Sequence, residues 1–173
     1  MARDTARRSV VLLKNEAELL PLKKQGQKIA LIGPFVQDRD NIEGCWTLFG
    51  DKSRYVTLES GVRAALGNAA ALEVVAGCGL EESLEGGIDA AVAAAQRADV
   101  VVLAVGEPQR YSGEAQSRVE ITLPPAQQAL AKAVAATGTP LVVLLRNGRA
   151  LALQGAVRDA QALSLIHISE PTR

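Results

Sequence analysis

The chain has 173 residues, enough for one ordinary domain and too few for two comfortable ones. Hydrophobic residues make up 48% of it and aromatics only 3%, so a core must be assembled from Val, Leu, Ile and Ala. The 19 basic and 19 acidic side chains cancel, which leaves no electrostatic footprint for nucleic acid or an anionic membrane.

At the N-terminus the apolar run Val10 to Leu13 is short, and no small-residue cleavage site follows it, so no signal peptide is predicted. No stretch approaches the roughly 20 apolar residues of a membrane span. Ala6, Val10 and Leu13 share one helical face, which predicts a helix over 4–15, closed by Leu19-Leu20-Pro21-Leu22. The run Lys28-Ile29-Ala30-Leu31-Ile32, stopped by Gly33-Pro34, reads as a buried strand. Residues 35–56 read as an irregular polar segment holding the only Trp, Trp46. A helix is predicted from Thr57 to Leu66 with Gly67 as its stop, then a strand from Leu72 to Ala76. An Ala-rich helix over 87–98 precedes the strand Val100 to Val105. A polar loop over 108–120 follows. Pro124-Pro125 opens a helix to Thr137, since Pro is favoured at the first helical position. Pro140 to Leu145 is the fourth strand, ending in Arg146-Asn147-Gly148.

Strands that are continuously apolar and alternate with helices predict an α/β fold. The expected form is a three-layer αβα sandwich with a mostly parallel sheet, truncated at its C-terminal end. Residues 28–163 are assigned to it, and 1–27 to an N-terminal helix and linker. Residues 164–173 break the Ala/Val/Leu style and resemble a translated adapter read-through. They are expected to be non-native, so His167, the only histidine, carries no weight. Cys45 and Cys78 stand far apart without a CxxC pair, which argues against zinc. Two buried free thiols are the plainer reading, and a disulfide stays open.

In parallel sheets ligands bind outside the carboxyl ends of the strands. The segment from Gly106 to Arg118 lies at such an end. It carries the carboxylates Glu107 and Glu114, the guanidiniums Arg110 and Arg118, Tyr111 and the Ser112-Gly113 pair. Glycoside hydrolysis needs two carboxyl groups about the scissile bond, one of them a proton donor on a positionable loop. Gly113 allows a tight turn beside Glu114. Read from the residues alone, a solvated charged loop is the commoner meaning of such a segment. Dinucleotide binding fares worse, because Gly33-Pro34-Phe35 is no GxGxxG, Gly77-Cys78-Gly79 lacks the third glycine, and no GxxxxGK[ST] exists. Trp46 could stack on a sugar face or pack at a domain interface, the latter being favoured. Asn147 could bind a hydroxyl or cap a turn.

The motifs in order carry a resemblance. Ser9 to Glu16, Leu20-Pro21-Leu22, Ile29 to Pro34 and Asp99 to Val102 with Gly106-Glu107 come first. Ser112 to Arg118, Ile121 to Pro124 and Pro140 to Val143 with Asn147-Gly148-Arg149 follow. Together they resemble the second domain of glycoside hydrolase family 3, over residues 6–163, nearest to the bacterial periplasmic β-glucosidases. The resemblance implies a retaining exo-β-glycosidase acting on terminal β-D-glucosyl residues of β-linked glucosides or oligosaccharides. Glu114 matches the general acid/base. Glu107, Ser112, Arg118 and Trp46 would support the loop or bind substrate. Neither metal nor cofactor is implied. The barrel domain that supplies the family's Asp nucleophile is not in this chain, so the isolated chain is expected to be inactive. The intact enzyme would be periplasmic or secreted. Two alternatives stay open, a related β-xylosidase and a non-catalytic carbohydrate-binding or interaction module.

Overall fold

The computed structural model describes residues 2–66 and 72–167. Six strands form one sheet in the order β1-β6-β5-β4-β2-β3. They are β1 (Val11–Asn15), β2 (Ile29–Ile32), β3 (Leu72–Val75), β4 (Val100–Gly106), β5 (Leu141–Asn147) and β6 (Ala162–His167). β2 to β6 pair in parallel, and β1 lies antiparallel to β6 at one edge. The helices are α1 (Ala2–Ser9), α2 (Leu58–Leu66), α3 (Gly87–Arg97), α4 (Pro125–Ala135) and α5 (Gly155–Asp159). No described helix is long and apolar enough to cross a membrane.

The central strands are apolar throughout because both faces are covered. Val101, Leu103 and Val105 of β4 point into a layer with Ala91, Ala94 and Ala95 of α3 and Leu130 and Val134 of α4. Val100, Val102 and Ala104 of the same strand meet Phe35, Val36 and Leu66 on the other face. A period of two thus partitions one apolar run between two cores. The alanine face of α3 lets that helix lie close to the sheet.

β2 and β4 are neighbours. The helix after β2 packs with one core and the helix after β4 with the other. Their carboxyl-end loops therefore part toward opposite faces and leave a crevice, the topological switch point of the sheet. Gly33 closes β2 with φ +125°, and a Cβ there would collide with the main chain of Ala104. Gly106 closes β4 with φ +154°, and a Cβ there would strike the Arg146 carbonyl of β5. Only glycine lets the strand ends approach this closely.

The four strands and three helices expected between residues 28 and 148 are present, and the predicted stop at Gly67 lies outside the described residues. The helix expected over 4–15 is not continuous. It ends at Ser9, and Val11–Asn15 turns into β1. Ala6, Val10 and Leu13 do suit a helix, but a short helix is marginal alone. The open edge of β6 offers main-chain partners from Val11↔Leu165 to Asn15↔Ala162. β6 itself crosses the boundary drawn at residue 163, with Val142↔Ala162 through Asn147↔His167 in register. Ladder pairing uses main-chain groups, so Ser164–His167 can hold this place whatever their origin. Residues 168–173 lie outside the described chain.

Leu130 is fully buried between α3, α4 and the sheet. Leu130→Ala is expected to cost about 2–5 kcal/mol in urea unfolding. A loss under about 1 kcal/mol would show that this layer is not packed as described.

Candidate functional site

The loops after β2 and β4 meet above the switch point. Arg146, near the end of β5, anchors the first. Its guanidinium donates to Asp38 Oδ2 at 3.1 Å and to the Asn41 carbonyl, and lies 4.8 Å from the Phe35 ring centre. Asp38 in turn accepts from the Asn41 amide nitrogens, main chain and side chain, at 3.1 and 2.8 Å. Asn41 Oδ1 then accepts from the main-chain N–H of Gln109 at 2.8 Å, and Gln109 Nε2 donates to the Gly44 carbonyl at 2.8 Å. Each loop supplies hydrogen-bond partners that the other lacks, so the two order each other.

The β4 end is fixed from the other side by Gln127 of α4. Its side chain accepts from Gly106 N–H at 2.8 Å and donates to the Gly106 carbonyl at 3.0 Å. Glu107 follows, with 0% exposure. Arg149 Nε stands 3.5 Å from one of its carboxylate oxygens and Arg118 Nε 3.8 Å from the other. Neither oxygen accepts a hydrogen bond from a described residue. Burial pushes the Glu107 carboxyl above its ordinary 4.5, while Arg149 and Arg118 pull it back.

Between the loops opens a cavity of about 440 Å³, within the usual size of a small-molecule site. Cys45 and Trp46 line it from the β2 loop, and Ser112, Gly113, Glu114 and Gln116 from the β4 loop. Glu114 is exposed and sits between Gly113 (φ +126°) and Ala115 (φ +60°), both in left-handed backbone. It makes no hydrogen bond or ion pair among the described residues. Among the described lining residues, Glu114 alone carries a carboxylate. The apolar C–H face of a pyranose could stack on half-exposed Trp46, with Glu114 free to approach an oxygen.

The structure therefore brings Glu114, Ser112 and Trp46 to one cavity wall. Glu107 and Arg118 it places together beneath the loop, with Glu107 off that wall. Ser112 Oγ is buried without a hydrogen-bond partner and packs so tightly that a Cβ at Gly148 would strike it. Asn147 donates to the Arg149 carbonyl, which is the turn-capping arrangement. The sequence names Tyr111 and Arg149 within its motifs but assigns neither a role. The Arg118 guanidinium stacks 3.7 Å from the Tyr111 ring centre. Arg149 donates to the carbonyls of Tyr111 and, at 3.0 Å, Gln116. Arg149 stood in a motif that was visible, but its partners come from a distant loop. Both cysteines are free, and Cys45 is exposed where a buried thiol was expected. It lies against Gly113 in the cavity wall, outside both cores.

Burial, and then the nearby Glu82, push the Cys78 thiol up to about 11. Titration with an aromatic disulfide at neutral pH should therefore modify one thiol quickly, with mass mapping to Cys45, and the second only on unfolding. Two equally fast thiols would contradict this. For Glu107 the folded carboxyl binds its proton more tightly than the unfolded one. Its contribution to stability is then fully present below the unfolded pKa and declines as pH rises through the folded value. Wild type should thus lose stability relative to Glu107→Gln as pH rises above the ordinary carboxylate range. A gain over the same rise would reverse the sign assigned here.

Residues 10–171 match the model of the glycosyl hydrolase family 3 C-terminal domain. A periplasmic beta-glucosidase of Salmonella typhimurium is 41% identical, over 94% of this chain and 24% of that protein. A beta-xylosidase of Formosa agariphila is 32% identical, over 88% of this chain and 22% of that protein. Among solved structures, a beta-glucosidase of Listeria innocua in complex with isofagomine superposes with a TM-score of 0.88 at 39% identity, covering 96% of this chain and 22% of that one. The chain thus spans about a quarter of the length of the relatives it matches.

Proposed function

This chain belongs to glycosyl hydrolase family 3, as its C-terminal domain, and from that premise we propose that Glu114 is the general acid/base of a retaining β-glycosidase. The observation that supports this most is the place of Glu114. It stands alone and exposed on the wall of a cavity at the switch point of the sheet, on a loop with left-handed backbone on both sides. In the first step Glu114 protonates the departing glycosidic oxygen as the sugar is transferred to a carboxylate nucleophile. In the second it takes a proton from the water that releases the sugar. The same carboxyl thus serves as acid and then as base.

The reaction needs a second carboxyl group facing the first. By the resemblance, that nucleophile is an Asp of a barrel domain docked against this face. Exposed Trp46, Leu48 and Phe49 of the β2 loop suit a surface that another domain covers. Trp46 is assigned to the substrate side, and Ser112, whose Oγ is buried, to the support of the loop. Glu107 and Arg118 are assigned to loop support, because Glu107 has no contact with solvent. The substrate assigned is a terminal β-D-glucoside, since the relatives of higher identity are β-glucosidases. A β-xyloside is the second reading, favoured by the β-xylosidases among the relatives. A periplasmic location follows the Salmonella relative.

The test uses a full-length family enzyme carrying residues 10–167 of this chain. Glu114→Ala should lower kcat/KM on an alkyl β-glucoside by about 100-fold or more, general acid catalysis being worth about 100- to 10,000-fold. With 2,4-dinitrophenyl β-glucoside, whose leaving group needs no proton, the loss should be at least about tenfold smaller, and azide should restore turnover. Equal losses on both substrates would remove Glu114 from this role. The 173-residue chain alone should show no turnover of either substrate, and turnover there would overturn the need for a second domain.

A further inference from the structure

We propose that Arg149 is the positioning residue for Glu114, clamping the loop at two points with buried Glu107 as its counter-ion. The inference rests on the acid/base reading of Glu114. Three observations carry it. Arg149 reaches the carbonyls of Tyr111 and Gln116, which bracket Glu114 on either side. Its Nε faces a Glu107 oxygen at 3.5 Å, and Glu107, just past the end of β4, is held to β5 by its main-chain N–H, which donates to the Arg146 carbonyl at 2.8 Å. Glu114 itself has no polar partner in the described structure, so its place is set through its loop.

The geometry explains why an arginine is needed. A planar guanidinium presents several N–H groups in fixed directions, so one side chain can face a carboxylate and hold two carbonyls together. A lysine ammonium can keep the charge beside Glu107 but lacks the fixed fork. Arg118 completes the arrangement from the opposite side, 3.8 Å from the other Glu107 oxygen and stacked on Tyr111. Glu107 is thus the common root of two arms that grip one loop. The device acts on the proton-transfer step alone, because misplacing the donor matters only where the leaving group needs a proton.

The experiment measures kcat/KM in the full-length enzyme with an alkyl β-glucoside and with 2,4-dinitrophenyl β-glucoside. Arg149→Lys is expected to lower the alkyl glucoside value by about 10- to 100-fold, the range that a shift of about an ångström produces, and the dinitrophenyl value at least about fivefold less. Glu107→Gln should show the same contrast, and it keeps the side-chain shape if Arg149→Lys proves unstable. A merely structural role would lower both substrates together, by loss of folded enzyme, and leave their ratio as in wild type. An unchanged ratio in both variants, with Glu114→Ala keeping its own contrast, overturns the inference and leaves the acid/base reading standing. If Glu114→Ala lacks the contrast, the acid/base reading falls first.

Discussion

A carboxylate without exposure, placed between two guanidiniums at the end of β4, is the constraint around which the functional face is organised. Removing an ion from water is expensive, and such a group persists only where opposite charge stands close on more than one side. Arg149 comes from just beyond β5 and Arg118 from the far end of the β4 loop. Meeting at Glu107 forces those segments together. Arg149 then spends its remaining N–H groups on the Tyr111 and Gln116 carbonyls of the loop above, and Arg118 lays its π-face on the Tyr111 ring. Pairing one buried charge thereby ties down a loop that contributes no side chain to either apolar core.

The β2 loop is held by a parallel device. Arg146 packs over Phe35 and binds Asp38 and the Asn41 carbonyl, and burial lowers its pKa against the pull of Asp38. β5 thus supplies, at or just past its end, one arginine to each loop of the switch point. The apolar sandwich beneath is packed on both faces of the sheet, and Gly33 and Gly106 bring its strand ends close enough for those arginines to reach. The cavity is formed where two polar loops, each tied to the same strand, fail to close over the crevice between them.

Much of this was legible in the sequence, and what was not has a physical reason. The buried strands β2 to β5 announced themselves because a strand covered on both faces is apolar at every position. β1 did not, since Ala6, Val10 and Leu13 satisfy a helical period, and only the free edge of β6 makes the extended form of Val11–Asn15 the better one. β6 was hidden because Ser164 to His167 differ in style from what precedes them, while the ladder requires only main-chain groups. Glu107 and Arg118 could be singled out from their shared loop. Arg149 could not be joined to them, because nothing local reveals which side chain a fold will bring from another strand. The burial of Glu107 was equally invisible, for a glutamate in a polar loop is ordinarily in water.

The stability of the clamp and its use pull in different directions. A buried ion pair is often replaceable by apolar residues without loss of stability, so Glu107 is poorly explained as a stabiliser. The upward shift of its carboxyl says the same, because the fold would hold a neutral group there more readily than a charged one. What an apolar substitute cannot do is grip two carbonyls and an aromatic ring at fixed angles. Retaining glycoside hydrolysis leaves little tolerance, since one carboxyl must serve as acid and then as base from the same position. If that carboxyl must also face a nucleophile on another domain, its loop cannot be fixed by contacts across the substrate gap. It has to be held from behind, by its own domain, and the charged hub at the end of β4 is placed where such a hold can be made.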